Sequence, residues 1–389
     1  MKWKKGVAAF CILLAVIKIY PSAGMMAEEP VLTSEAVVLM EGSTGQILYE
    51  KEATKKLRPA SITKVMTLLL IFEAIEDGRI SLTDEVSVSE HAASMGGSQV
   101  YLEPNEKQDV NTMIKCISIA SANDASVAMA EFVAGTEAAF VEQMNARAKE
   151  LGMENTHFVN CYGLDTDGHY SCALDVALMS RELITKHPEI SNYSTVWMDT
   201  FVHTTSKGKT EFGLTNTNKL IKSYQGITGL KTGSTGLAKY CLSATARRNG
   251  MDLIAVIMAA PDTKARFREA ADLLNYGFAN FQLYQNDFSG ISIENIPVRH
   301  GVEKQVGLVP AKDFSYLCDI GVDIGKVEVV LEYNEALIAP FEAGTAAGRA
   351  VFTCAGKELG SVDLVTTAAV EEATYSDALK NVWEKYFGR

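Results

Sequence analysis

Ser61 and Lys64 stand three residues apart in Arg58-Pro59-Ala60-Ser61-Ile62-Thr63-Lys64, directly ahead of the mostly apolar run Val65-Met66-Thr67-Leu68-Leu69-Leu70-Ile71-Phe72. A proline and a small hydroxyl residue before such a run predict the N-terminus of a buried helix. Residues three apart on a helix share a face, one turn from each other. The Lys64 amine then comes within reach of the Ser61 hydroxyl at the positive end of the helix dipole, which can make a serine nucleophilic without histidine. Taken alone, Ser-x-x-Lys is a weak signal, more often a serine cap and a snorkelling lysine. Two further strings follow in order, Ser121-Ala122-Asn123 and Lys231-Thr232-Gly233. Singly, the first is an ordinary helix cap and the second an ordinary strand ending in a turn. The chemistry rests on their combination.

The elements that must hold these residues are legible from periodicity. Residues 35–50 alternate and break at Glu41-Gly42-Ser43-Thr44-Gly45, which predicts a strand, a turn and a strand. The helix opened by Ser61 should run to about Asp77-Gly78, where glycine ends it. Residues 110–134 are apolar at helical spacing, interrupted at Ser121-Ala122-Asn123-Asp124, and two amphipathic helices follow over 140–151 and 174–186. After Tyr224 the text becomes strand-like over 226–232, 239–247 and 252–259, with Asn249-Gly250 as the hairpin turn between the last two. Residues 267–281 return to helix. Helices in the middle and strands at both ends predict one α/β (α+β) unit over 28–285, with the N-terminal strands joining the later sheet. Short strands at 327–333, 348–354 and 361–365 predict a small, separate β domain over 290–370. In the final segment, 371–389, Tyr375, Ala378, Leu379, Val382, Trp383, Tyr386 and Phe387 recur at helical spacing. Such a helix can lie in a membrane surface or dock on its own β domain.

Composition narrows the function classes. Hydrophobic residues make up 47%, so the chain can bury cores. Lys2, Lys4 and Lys5 precede the apolar residues 6–17, and small residues follow at 22–24. That stretch is short for a span and reads as a secretory signal over 1–27, cut between about 24 and 28; a retained anchor is the alternative. Without those residues 32 basic groups face 48 acidic ones, and formal net charge moves from −12 to −16. An acidic mature chain argues against nucleic-acid binding. The cysteines left, Cys116, Cys161, Cys172, Cys241, Cys318 and Cys354, show no Cys-x-x-Cys spacing and are expected as free, mostly buried thiols. The six histidines are scattered, so neither a metal nor another cofactor is expected.

The three strings together resemble the motif set of penicillin-recognising serine acyl enzymes. The likeness extends through Arg58-Pro-Ala-Ser-Ile-Thr-Lys64-Val-Met, Ala93-Ser-Met-Gly-Gly-Ser-Gln99, Ala120-Ser-Ala-Asn-Asp-Ala-Ser126, His169-Tyr-Ser171 and Gly229-Leu-Lys-Thr-Gly-Ser-Thr235. The chain is thus similar to low-molecular-mass penicillin-binding proteins, serine-type D-alanyl-D-alanine carboxypeptidases. The resemblance implies an antiparallel sheet flanked by helices, a small C-terminal all-β domain and a terminal membrane-anchoring helix. It implies removal of the last D-alanine from peptidoglycan stem peptides and inhibition by β-lactams. It also places the enzyme outside the cell, on the outer face of the bacterial cytoplasmic membrane.

In that scheme Ser61 is acylated and Lys64, neutral through burial and the nearby Lys231 charge, takes its proton. Ser121 passes a proton towards the departing amine. Asn123 holds Lys64 and binds the substrate amide. Lys231 and Thr232 receive the substrate carboxylate, Gly233 lets a strand-bound substrate approach, and the Ser61 and Ser234 N–H groups form the oxyanion hole. Arg266 occupies the place of a carboxylate-binding arginine in relatives; a surface arginine at a helix start is its other reading. Three positions depart from the family pattern: Cys161 for a usual proline, Cys172 for a usual threonine and Lys239 for a usual glycine. A class A β-lactamase would need a Glu-x-x-Leu-Asn string, absent between Ser121 and Lys231. The same scaffold could also carry a transpeptidase, which resolves the acyl group with an amine, or a non-catalytic wall-binding protein. Binding alone needs no nucleophile, so Ser61, Lys64, Ser121 and Lys231 together argue against the latter.

Overall fold

The computed structural model describes residues 27–377, 379 and 383. Most of the expected leader and most of the expected terminal helix therefore lie outside the described residues. A five-stranded sheet organises the first part of the chain, in the order Ile47–Lys51, Ala36–Glu41, Met251–Ala260, Lys239–Arg248, Ile227–Thr235. Every neighbouring pair is antiparallel, and Ala36–Glu41 pairs directly with Met251–Ala260, as the composition of the two ends suggests.

Two-sided burial explains why Ala36–Glu41 and Met251–Ala260 read as almost wholly apolar. Val37 and Leu39 enter one core with Leu242, Leu253, Ile257 and Leu273; Ala36, Val38 and Met40 enter the other with Ile254, Val256 and Met258. Side chains on a strand point alternately to its two faces, so a sheet covered on both sides shows no polar face. The helix Thr263–Asn280 covers one face, and Ala173–Lys186 with the helical layer covers the other. The helix Lys64–Glu76 runs through that layer with Val65 to Phe72 all buried, so it is apolar on every side and belongs to the core. Gly78, at φ +69°, ends it.

Several boundaries differ from the sequence-based expectation. Lys231-Thr232-Gly233 does not end its strand; the strand continues to Thr235, at the sheet edge. The helix expected from Phe267 begins at Thr263, because the Asp262 carboxylate accepts from Lys264 N and Ala265 N at 2.7 and 2.8 Å. A hairpin of Met198–Thr205 with Gly208–Thr215 has no counterpart in the sequence reading. Its exposed, threonine-rich strands carry little hydrophobic alternation.

The C-terminal part is β-rich. Leu308–Pro310, Lys357–Thr366, Ala346–Cys354 and Val327–Tyr333 form a four-stranded sheet in that order. Its core centres on Phe352, whose ring stacks on Phe314 at 3.8 Å. Phe281–Asn286 leads into it and pairs with Phe314–Asp319.

Candidate active site

Ser61 lies on a 3-10 turn, Ala60–Thr63, immediately before the helix Lys64–Glu76. Ala60 has φ +50°, a left-handed conformation unusual for a residue with a Cβ, and Thr63 Oγ1 donates to the Ala60 carbonyl at 2.8 Å. The Ser61 side chain caps nothing in this turn. Its hydroxyl lies 3.2 Å from Lys64 Nζ instead, which removes the serine-cap reading.

Lys64 is fully buried, with its amine donating to Asn123 Oδ1 at 2.6 Å and to the Tyr162 carbonyl at 2.7 Å. Burial first, and the Lys231 charge second, push its pKa well below that of a free lysine; Cys161 and Asp124 oppose this. A neutral amine has two hydrogens and one lone pair. The two short contacts go to carbonyl oxygens, which only accept, so they take both hydrogens. The lone pair is then left facing the Ser61 hydroxyl.

Ser121 sits between the helices Val110–Ile119 and Asn123–Ala134 at φ +61°. It is buried, and its Oγ is without a hydrogen-bond partner among the described residues. A buried hydroxyl left unpaired is destabilising by about 1–3 kcal/mol and suits a group whose partner arrives with a ligand. Asn123 also donates from Nδ2 to Gly96 O and from its backbone to Ser98 O, both at 2.7 Å. One amide thus ties the Gly96–Ser98 loop to the Lys64 amine. Beside it, the buried Asp124 carboxylate accepts from Val100 N and Leu102 N.

The edge strand brings in the third motif. Lys231 is buried and donates to Thr232 O at 3.1 Å; burial, then the Arg266 charge, lower its pKa to about 7. The Thr232 and Thr217 hydroxyls share a 2.5 Å hydrogen bond. Ser234 is exposed, and Thr235 Oγ1 donates to Asp165 Oδ1 at 2.9 Å. Gly233 has a different reason from the one expected: a Cβ there would stand 2.9 Å from both Pro59 O and Ser61 N. Its space is used by the serine turn itself, so the glycine lets the edge strand lie against the nucleophile's backbone.

Arg266 is buried, contrary to the surface alternative. Its Nη1 donates to Gly233 O at 3.1 Å and to Cys241 O at 3.3 Å, and its guanidinium lies over the Tyr240 and Phe267 rings. It braces the edge strand behind Lys231.

The segment 160–169 supplies contributors that motif reading missed. Tyr162 gives a backbone carbonyl, which any residue could provide, so its identity carried no signal. Gly163, at φ +90°, packs so closely on the serine turn that a Cβ would overlap Ala60 O and stand 2.8 Å from Thr63 Oγ1. The departures from the family pattern are accommodated. Cys172 caps the helix Ala173–Lys186 through Sγ, accepting from Asp175 N at 3.4 Å, as a hydroxyl would. Lys239 takes φ +56°, where glycine is easiest, and pairs with Glu35 at 2.8 Å. Cys161 is buried, and all six described cysteines are free thiols.

With this geometry established, comparisons add the family context. A family profile for D-alanyl-D-alanine carboxypeptidase matches residues 23–262, and one for the penicillin-binding protein 5 C-terminal domain matches residues 278–372. The chain is 38% identical to D-alanyl-D-alanine carboxypeptidase DacF of Bacillus subtilis, over 98% of this chain and 100% of that protein. It is 32% identical to DacA of Escherichia coli K12, over 92% and 90%. Crystal structures of penicillin binding protein 5 from Haemophilus influenzae superpose with a TM-score of 0.74 at 32% identity, covering 89% of this chain and 100% of that one.

Proposed function

The chain belongs to the D-alanyl-D-alanine carboxypeptidase family of low-molecular-mass penicillin-binding proteins, and from that premise we propose that it removes the terminal D-alanine of peptidoglycan stem peptides through an acyl-enzyme on Ser61. The observation that carries this reading is the fully buried Lys64 amine, held by two acceptors and 3.2 Å from the Ser61 hydroxyl. Ser61 Oγ attacks the carbonyl carbon between the two D-alanines while its proton passes to Lys64 Nζ. The tetrahedral oxyanion is received by the Ser61 and Ser234 N–H groups. The C–N bond breaks, and the departing D-alanine amine takes a proton delivered through Ser121, whose unpaired hydroxyl supports that role. Water then attacks the ester with the same base, releasing the shortened peptide and restoring Ser61. Asn123 has one amide hydrogen left for the substrate after Gly96, and Lys231 with Thr232 receives the terminal carboxylate. β-Lactams acylate the same serine because they present the same carbonyl and carboxylate.

Fluorescent penicillin is expected to label the protein covalently, with the adduct on Ser61 by mass spectrometry, and D-alanine to be released from a stem pentapeptide. Equal labelling of Ser61→Ala, or rapid penicillin turnover without D-alanine release, would overturn the assignment. The reading also places the enzyme at the outer face of the cytoplasmic membrane, held by its C-terminal helix. Support comes from Tyr375, Leu379 and Trp383, which recur every four residues and are 81%, 54% and 67% exposed.

A further inference from the structure

We propose that His169 is a positioning residue for the nucleophile, fixing the turn that carries Ser61 through a hydrogen-bond chain that runs from Val159 N–H to the Ala60 carbonyl. The inference rests on the acyl-enzyme reading and adds to it a group that touches no substrate. The chain can be followed proton by proton. Val159 N–H, which can only donate, points at His169 Nδ1 at 3.0 Å, so Nδ1 carries a lone pair. The ring proton is then on Nε2, which lies 2.8 Å from Thr63 Oγ1 and donates to it. Thr63 Oγ1 spends its own hydrogen on the Ala60 carbonyl at 2.8 Å. Each polar atom is used once and in one direction, so the ring has one tautomer and one orientation.

The far end of the chain is what separates His169 from an ordinary satisfied core histidine. Ala60 holds the left-handed φ of +50° that turns the backbone into Ser61, and an L-residue keeps that conformation only when its surroundings hold it. Thr63 is adjacent to Lys64, so the same hydroxyl steadies nucleophile and base together. The anchor is firm. His169 is 3% exposed and packs edge-on against Phe158. Two residues on, Ser171 exchanges two backbone hydrogen bonds with Leu57, at 2.8 and 2.9 Å, just before the turn.

The titratable groups that act electrostatically on the ring are His157, Arg58 and Asp165. Burial first, then the first two of these, lower the His169 pKa to about 4, while Asp165 opposes. Protonation would put a hydrogen on Nδ1 against the Val159 N–H and break the chain at its first link, so acylation should acquire an acid limb near pH 4 that belongs to neither Ser61 nor Lys64.

The test measures the rate of covalent labelling by fluorescent penicillin, separated into non-covalent affinity and acylation rate, for full-length protein carrying His169→Leu, His169→Gln, Thr63→Val, Thr63→Ser and the Leu/Val double change. Thermal unfolding is followed in parallel. A displacement on the order of 1 Å at the nucleophile is expected to lower the acylation step by ~10²-fold. His169→Leu and Thr63→Val should each show that loss with affinity within about threefold of wild type. The double variant should be no slower than either single one, because both break one chain. His169→Gln, which restores a donor, and Thr63→Ser, which restores the hydroxyl, should recover most of the rate, and the limb near pH 4 should be missing from His169→Gln. A folded Thr63→Val that acylates at the wild-type rate would overturn the proposal, as would multiplying losses in the double variant or stability losses without a rate change. Absence of labelling in the wild type itself would instead overturn the acyl-enzyme reading on which it stands.

Discussion

Gly163→Ala tests whether the 160–169 segment sets the geometry of the base as well as covering it. Two penalties are expected. Gly163 has φ +90°, where a Cβ is strained by about 1–2 kcal/mol. The added methyl would also overlap Ala60 O and press on Thr63 Oγ1, and relieving overpacking of that kind is destabilising by about 1–3 kcal/mol. Stability should therefore fall by about 2–5 kcal/mol. The effect on rate has a different origin. Relief of the overlap requires the segment and the serine turn to separate by roughly 1 Å, which moves the Tyr162 carbonyl away from Lys64 Nζ. The amine then loses one of the two acceptors that direct its lone pair, and acylation should drop ~10²-fold. Gly78→Ala is the control, because Gly78 has φ +69° with nothing within 4 Å of a Cβ, so it should show the conformational penalty alone and keep its rate. The assay pairs penicillin acylation rates with urea unfolding for both variants. A Gly163→Ala protein that acylates within twofold of wild type would refute the claim that the Tyr162 carbonyl orients the base.

Other outcomes follow from the site and from the terminal segment. Lys231, lowered to about 7, is mostly neutral at pH 8, and a bound carboxylate favours its charged form, so binding there should take up roughly 0.9 proton, falling towards none near pH 5. Calorimetry of Ser61→Ala in buffers of different ionisation enthalpy reads this directly; Lys231→Arg should abolish the uptake, and zero uptake by the intact lysine would contradict the assigned cause. Arg266→Met removes donors to Gly233 O and Cys241 O and is expected to lower stability by about 1–3 kcal/mol in urea unfolding. It also removes the charge that depresses Lys231, so the alkaline loss of carboxylate binding should move to higher pH; an unmoved limb would rule out that coupling. A chain ending before Tyr375 should leave the membrane fraction with its acylation rate intact, and persistence there would count against anchoring by the terminal helix.

Much of the site was readable in one dimension because motif chemistry is local. Ser61 and Lys64 are one helical turn apart, and their spacing alone puts amine and hydroxyl together. Asn249-Gly250 announced the hairpin that carries the central strands, and alternation over residues 35–50 announced the N-terminal pair. What stayed hidden was set by contacts between distant segments. Lys64 is neutral-prone first because distant segments bury its amine and second because Lys231, on another element, lies near it, and desolvation is a property of packing, not of residue type. The direction of its lone pair depends on a backbone carbonyl at Tyr162, an acceptor that every residue possesses. Gly233 read as room for a substrate, yet the structure fills that room with Pro59 O and Ser61 N. Arg266 had two readings, a carboxylate-binding residue or a surface arginine at a helix start, and only its burial, with Nη1 donating to Gly233 O of the edge strand, removed the second. The sequence by itself determined which groups could react and the elements that carry them. Only the tertiary structure decided which way each proton and lone pair points, because orientation inside a buried site is fixed by acceptors and neighbours contributed from the whole chain.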